Sequence, residues 1–320
     1  MAIESHDLRK WENIPEIVFK PAFIERYSAL TDFDKFKEYS LSYLRRSIRV
    51  NTLKSTVAEV RKRLLPEWDL VQVPWCKEGF WLENKKGRRD VGNLVEHALG
   101  YVYVQEAASM IPPLVLDPKP GEHVLDMCAA PGSKTSQIAQ YMKNKGVLVA
   151  NDISAARAKP LGLNLQRCGV TNLIITMMHG QSFKNVLFDK ILVDAPCSGT
   201  GTIRKSLKTV QIWNPGMIRR LSHIQKQLIV KAFDILKKGG TMVYSTCSCE
   251  PLENEAVVSH LLETVDNATV EKIELKGIVR SPAVMEFEGQ KYDKQVSSCL
   301  RIWPQDNDTE GFFVAKIKKK

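Results

Sequence analysis

Two cysteines of this chain stand just beyond apolar runs, Cys197 in "KILVDAPCSGTG" and Cys247 in "MVYSTCSCEP". They are too far apart for a local metal clip, and no CxxC pair or Cys/His cluster at finger spacing accompanies them. Asp194 lies three residues before Cys197, and Lys134 sits in "LDMCAAPGSKT", after a third apolar run. An ionised thiol is a strong nucleophile, and a neighbouring acid assists its attack on a ring. One reaction uses two thiols together. C5 of cytosine is a poor nucleophile, but a thiolate added at C6 turns C5 into an enamine-like carbon that takes a methyl group from a sulfonium donor. The C5 proton must then leave and the first thiol be expelled, a step that a second cysteine can assist. Asp194 is placed to hydrogen-bond or protonate the N3 edge of such a ring.

The elements that must hold these groups are legible from about residue 110 onward. "EHVLDMCA" reads as a buried strand and "SKTSQIAQYMK" as a helix. "VLVANDI" follows as a strand, and "SAARAKPLGLNLQRCG" as a helix closed by Gly169. "NLIITMM" and "FDKILVDAP" are further strands. "PGMIRRLSHIQKQLIVKAFDILKKGG" is a long amphipathic helix ending in Gly-Gly, "TMVYSTCS" a fifth strand and "ENEAVVSHLLETV" a helix. "SSCLRIWP" and "EGFFVAKIKKK" read as an antiparallel pair. Alternating strands and helices imply a parallel doubly wound sheet. Ligands of such sheets lie over the C-terminal strand ends, beside the switch in strand order. With the first and fourth strands flanking that switch, the APC and STC loops face one crevice and their thiols converge. The "LDMCAAPGSKT" loop opens a helix whose N-terminus favours negative groups. It is neither GxGxxG nor a full P-loop, so a nucleoside triphosphate is disfavoured. Asp152 ends the second strand about twenty residues beyond Gly132, where an acid binds two ribose hydroxyls. Loop and acid together suit an adenosine-bearing cofactor.

Residues 1 to about 100 differ from this pattern. "PEIVFKPAFIERYSALTDFDKFKEYSLSYL" has helical apolar spacing, "SIRVNTL" is a short strand, and "STVAEVRKRLLPEW" is a capped helix ended by Pro66. "DLVQVPW" and "GFWLE" are short strands before the polar stretch "NKKGRRDVGN". The chain of 320 residues carries a net charge of +10, which favours a polyanionic partner, nucleic acid ahead of membrane. No segment approaches the ~20 continuous apolar residues of a membrane span. "MAIESHDLRKWENIPE" has early acids and no apolar core, so it does not read as a secretory signal. Seven cysteines without paired spacing suggest reduced thiols and a cytoplasmic location.

Four ordered motifs, "VLDMCAAPGSKT", "DAPCSGTGT", "YSTCS…ENE" and "EGFFVAK", resemble the RsmB/Nop/Sun family of RNA cytosine-5 methyltransferases. The likeness covers residues 100 to 318 and extends weakly upstream to "IRVNTLK", and archaeal tRNA members are the most similar type. The resemblance implies an α/β fold: a Rossmann-like doubly wound methyltransferase domain over residues 106–320, with a small RNA-engaging α+β module over 1–105. It implies S-adenosylmethionine as cofactor and RNA as partner, tRNA first and ribosomal RNA as the rival. Cys247 matches the nucleophile, Cys197 the cysteine that assists release, and Asp194 the acid that contacts the base. Lys134 matches the lysine near the base and the reacting end of the cofactor. Cys128, Ala129, Ala130, Pro131, Gly132 and Ser133 match the loop around the methionine portion. Asp152 matches the ribose acid and Arg157 an arginine of the cofactor pocket, which Asp194 also adjoins.

Ser133 stands where many members have glycine. "MMHGQSF" lacks the usual acid for the adenine amino group, leaving His179 or Gln181 as substitutes. Cys249 lies on the same side as Cys247 by strand alternation, so spacing admits either as attacker; the resemblance chooses Cys247. Cys76, Cys128, Cys168 and Cys299 read as buried inert thiols, and Trp75 and Trp81 as core. Basic clusters occur at Arg45, Arg46 and Arg49; Arg61, Lys62 and Arg63; Lys85, Lys86, Arg88 and Arg89; Arg204, Lys205 and Lys208; and Arg219 and Arg220. Arg204 and Lys205, next to the strand-four loop, are candidates for RNA phosphate contacts. Two other readings remain open: a DNA cytosine methyltransferase attacking through Cys197, and an RNA-binding scaffold that keeps only the fold.

Overall fold

The computed structural model describes Leu8 and residues 17–320; the stretch weighed above as a secretory signal lies outside the described residues, Leu8 apart. Four strands, β1 (Ser47–Val50), β2 (Trp68–Gln72), β3 (Gly79–Asn84) and β4 (Val102–Val104), form an antiparallel sheet in the order β2-β3-β1-β4. The helix Val57–Leu64 packs Val60 and Leu64 against Ile48, Trp68 and Phe80 of this sheet. A capping box starts it: the Thr56 hydroxyl accepts from the Glu59 N–H, and the Glu59 carboxylate accepts from the Thr56 N–H.

The larger sheet carries the expected alternation. Its strands are β5 (His123–Asp126), β6 (Val147–Asn151), β7 (Leu173–Thr176), β8 (Phe188–Asp194), β9 (Leu236–Thr246) and β10 (Ala268–Glu271). After a small hairpin of β11 (Glu286–Phe287) and β12 (Gln290–Lys291) come β13 (Leu300–Ile302) and β14 (Phe312–Lys319). The order is β10-β14-β9-β8-β5-β6-β7, with β13 paired to β14. From β9 to β7 every neighbour is parallel, and β14 is antiparallel to β9, β10 and β13. Strand order reverses at β5, so the ends of β5 and β8 open onto the crevice that the sequence predicts.

Both faces of the sheet are covered, which explains why β5 reads as an apolar run without a polar side. On one face lie the helices Ile111–Leu116 and Ser133–Met142, through Ile111, Val115, Ile138 and Met142. On the other lie Pro215–Asp234 and Glu255–Thr264, through Leu228, Phe233, Val257 and Leu261.

The structure differs from the sequence reading at Gly239-Gly240. The long helix stops at Asp234 and β9 begins at Leu236. Phe188 pairs with Leu236 but Lys190 pairs with Thr241, so residues 237–240 bulge out, with Gly239 at φ +76°. The glycines mark a strand bulge, not a helix stop. The sequence reading also omits β4, β10 and the helix Ile111–Leu116. The two strands are short, and Pro112 and Pro113 conceal a helix that tolerates proline in its first turn.

Arg49 joins the small sheet to the large one. Its guanidinium is fully buried and donates to the Gln105 amide oxygen, to Gln140 at 3.2 Å, to the Ser133 carbonyl at 2.9 Å and to Ser136 at 2.8 Å. It therefore serves packing and is unavailable to a nucleic acid. Replacing it leaves several buried acceptors without donors. We expect Arg49→Ala to lower the unfolding free energy by about 3 kcal/mol or more, read from urea denaturation.

Candidate active site

β8 and β9 run parallel with Asp194 beside Ser245, so the two chains leave the sheet at the same level. The Ala195 N–H donates to the Ser245 carbonyl at 2.9 Å, which extends the pairing one step beyond β8. Cys197 and Cys247 then meet, with their sulfurs 3.4 Å apart. Gly201 allows the approach from behind. Its N–H donates to the Cys247 carbonyl at 3.0 Å, and a Cβ there would lie 2.2 Å from the Gly311 oxygen. "EGFF" thus contributes backbone at Gly311 that only a bare Gly201 can meet.

Asp194 is held at both oxygens. The Lys134 amine donates to Oδ2 at 2.7 Å, and the Ser245 hydroxyl to Oδ1 at 2.8 Å. Burial works against the Lys134 charge, but Asp194 outweighs it and keeps the amine above its ordinary range; Cys247 adds to that field. The Cys197 thiol is pushed well up, first by its hydrogen bond with Cys247, then by burial, then by the charges of Cys247 and Glu253. Asp194, Lys134, Cys197 and Cys247 therefore form one cluster, as the sequence predicts.

Cys249 is not part of it. β9 ends at Thr246, so strict alternation does not carry to position 249. The Cys249 side chain is buried among Phe23, Tyr27 and Trp303, and its sulfur fills the space where Gly311 would carry a Cβ. Burial also pushes its thiol up. Arg204 requires a second correction. It is 2% exposed, pairs with Asp308 at 2.7 Å and donates to the Tyr43 carbonyl at 2.6 Å. It secures the N-terminal segment and is not open to phosphate, whereas Lys205 is exposed.

The cofactor-loop residues gather where β5 and β6 end. The Ala129 N–H donates to the Asn151 carbonyl at 2.7 Å. Gly132 takes φ +103°, and a Cβ there would press on Leu161 at 3.1 Å. Ser133 begins the helix, and Cys128 is half-buried with its thiol raised by burial and by Asp126, Asp194 and Asp152. The Asp152 carboxylate accepts from the Ala130 N–H at 3.3 Å and pairs with Arg157 at 3.3 Å. Arg157 in turn donates to the Ala130 carbonyl at 2.8 Å, beside Pro131. Beyond β7, His179 is exposed and the Gln181 amide donates to Gln227 at 3.4 Å.

Asp126, at the end of β5, is a residue the sequence reading passes over. One of its oxygens accepts from the Thr135 hydroxyl at 2.7 Å; the other is buried without a partner. Its signal is its place, directly before "MCAAPG". The set fits a sulfonium nucleoside: Asp152 for the ribose, the unpartnered Asp126 oxygen for a cationic amine, and the exposed Ile153 for the apolar face of adenine.

Sheet order, antiparallel β14 and this loop cluster define a Rossmann-like methyltransferase. Residues 113–318 match the family described as 16S rRNA methyltransferase RsmB/F, and residues 19–107 match the N-terminal domain of 16S rRNA methyltransferase RsmF. The chain belongs to the RsmB/F family of RNA cytosine-5 methyltransferases. It is 48% identical over 299 residues to the tRNA (cytosine(49)-C(5))-methyltransferase of Pyrococcus abyssi, covering 92% of this chain and 95% of that one. It is 45% identical over 283 residues to ribosomal RNA small subunit methyltransferase F of Aliivibrio fischeri, covering 86% of this chain but only 58% of that one. Among solved structures, a methyltransferase homolog from Pyrococcus horikoshii covers 94% of this chain and is itself covered 100%, with 37% identity and a TM-score of 0.80. NSun6 from the same organism, solved with SFG, shares the fold at a TM-score of 0.82 with 23% identity, over 95% of this chain and 99% of that one. No helix among the described residues is long and apolar enough to cross a membrane.

Burial raises the Asp126 carboxyl from its ordinary 3.8 to about 7. Between these values the folded chain holds a proton that the unfolded chain has lost, so this contribution to stability falls as pH rises. Comparing urea midpoints at pH 4 and pH 7, we expect Asp126→Asn to lose less stability across this interval than the parent.

Proposed function

We propose that the protein methylates C5 of a cytosine in tRNA, using S-adenosylmethionine and a covalent adduct between Cys247 and C6 of the base. The observation that carries this reading is the pair of sulfurs 3.4 Å apart, beside an acid already paired with a lysine. The residues around Asp126, Asp152 and Ala129–Gly132 hold the cofactor, which supplies an electrophilic methyl group when bound. A paired cytosine leaves its stack to enter the crevice. Asp194 takes the N3/N4 edge of the ring, steadied by Lys134 and Ser245.

Cys247, as thiolate, forms the bond to C6, and the displaced electron pair moves toward C5. Once C5 carries the methyl group, its hydrogen leaves as a proton, taken up by solvent water. The electrons of that C–H bond restore the ring double bond, and the C6–sulfur bond breaks, returning the thiolate of Cys247. Cys197, adjacent to that sulfur and holding a proton, assists this release by donating a hydrogen bond to the departing sulfur. Residues 1–105 act as the RNA-engaging module and 106–320 as the catalytic domain. Exposed Arg61, Lys62, Arg63, Lys85 and Lys86 on the module suit phosphates, which position RNA without reading its sequence. Near-full coverage of an archaeal tRNA enzyme supports tRNA over ribosomal RNA. A cytoplasmic location follows from that substrate.

The test is methylation in vitro with purified protein, labelled cofactor and two RNAs, a tRNA transcript and a small-subunit ribosomal RNA fragment. We expect transfer to tRNA, with the site read by bisulfite sequencing. Cys247→Ala should abolish transfer, and Cys197→Ala should accumulate a protein–RNA adduct that survives denaturant. Full activity in Cys247→Ala, with loss only in Cys197→Ala, would reverse the two roles.

A further inference from the structure

Glu253 is completely buried at the end of the short turn Pro251–Glu253, and both loops of the crevice converge on it. From the Cys197 loop, the Ser198 N–H donates to Oε1 at 2.9 Å, and the Ser198 hydroxyl contacts Oε2. From the Cys247 loop, the Ser248 hydroxyl contacts Oε2 at 2.5 Å. Ser198 and Ser248 also bond each other at 3.1 Å. Gln225, from the long helix beneath, donates to Oε1 at 3.0 Å and to the Pro196 carbonyl at 2.8 Å. The residue after each cysteine is therefore fastened to one carboxyl group, and the residue before Cys197 is tied to it through Gln225. Asn254 completes the grip on the second loop, accepting from the Thr246 hydroxyl at 2.6 Å and donating to the Ser248 carbonyl at 2.8 Å.

The β8–β9 pairing and the Gly201–Cys247 bond bring the two loops to one level, and Glu253 ties together the residues next to each sulfur. Loops beyond strand ends are where positional freedom enters, and a two-thiol reaction tolerates little of it: a displacement of about 1 Å costs on the order of 100-fold in rate. We propose that Glu253 is the positioning residue that holds Cys197 against Cys247, so that release of the RNA adduct, more than its formation, depends on it. Cys247 alone makes the bond to C6; breaking it needs Cys197 in place. Glu253 itself touches neither the base nor the cofactor. Its effect on Cys197 is also electrostatic, as one of the groups that keep that thiol protonated. The inference rests on the roles assigned above to the two cysteines.

The experiment compares full-length Glu253→Ala, Glu253→Gln, Ser248→Ala and Cys197→Ala with the parent, on one tRNA transcript. Two quantities are read: multiple-turnover methylation, and the fraction of protein caught as denaturant-stable RNA adduct. Glu253→Ala should lose about 100-fold in turnover while adduct builds up, as it does in Cys197→Ala. Glu253→Gln keeps the shape and part of the bonding, so it should restore much of the turnover. Ser248→Ala, which removes the hydroxyl contacts to Glu253, Ser198, Thr200 and the Glu250 N–H but leaves the Ser198 bonds to Glu253, should shift both readouts in the same direction but less. It also serves as the decisive variant if Glu253→Ala fails to fold. Parent-like turnover and adduct in Ser248→Ala, or equal loss of adduct formation and turnover in Glu253→Ala, would overturn the proposal. If Cys197→Ala itself builds no adduct, the assigned roles fail first; if it does and the Glu253 variants do not, only the positioning role fails.

Discussion

The site stands on the seam between β8 and β9. These strands pair in unbroken register from Lys190–Thr241 to Asp194–Ser245. Ile191, Val193, Met242 and Tyr244 enter one core, and Leu192 and Val243 enter the other. A slip of one residue would exchange those faces and swing Asp194 away from Lys134, so burial on both sides fixes the register. The bulge at residues 237–240 absorbs the surplus length before the strand reaches the crevice. Because the seam is rigid, two cysteines 50 residues apart behave as one site.

β14 and the N-terminal segment close this site from behind. β14 pairs antiparallel with β9 from Phe313–Thr246 onward, which brings Gly311 against Gly201 and the Phe312 ring within 5.4 Å of the Lys134 amine. Arg204 spans from Tyr43 to Asp308, and Arg45 lies 3.7 Å over the Trp81 ring while pairing with Asp308. Part of the positive charge that points to nucleic acid is therefore consumed inside the protein. A charge count cannot separate a guanidinium that bonds carbonyls from one that faces solvent, because both raise the net charge equally.

What was legible in the sequence follows from which signals are local. Strand and helix alternation is local, and it gave β5 through β9, the helices between them and the pairing of β13 with β14. The crevice was legible because apolar runs ended in Asp, Cys or small residues at each strand tip. Cys249 misled because alternation was extended past the point where β9 stops pairing, and only the tertiary packing of Gly311 shows where its sulfur goes. Arg204 misled because adjacency to a loop says nothing about burial. Asp126 and Glu253 escaped because their meaning lies in a missing partner and in contacts from Ser198 and Gln225, far away in the chain, and neither can be seen in spacing.

The two thiols are chemically identical and in contact, so their different roles must come from their surroundings. On the Cys247 side stands a cation, Lys134, whose amine is held charged against burial by Asp194 and feels the Cys247 sulfur. On the Cys197 side stands a buried carboxyl group, Glu253, with no cation within ion-pair distance among the described residues and only neutral donors bonded to it. Glu253 is thus one of the groups that oppose negative charge on Cys197 and leave that sulfur holding its proton. Two thiols in like surroundings would be interchangeable; the paired Lys134 on one side and the neutral-donor cage of Glu253 on the other make those surroundings unlike before any substrate arrives.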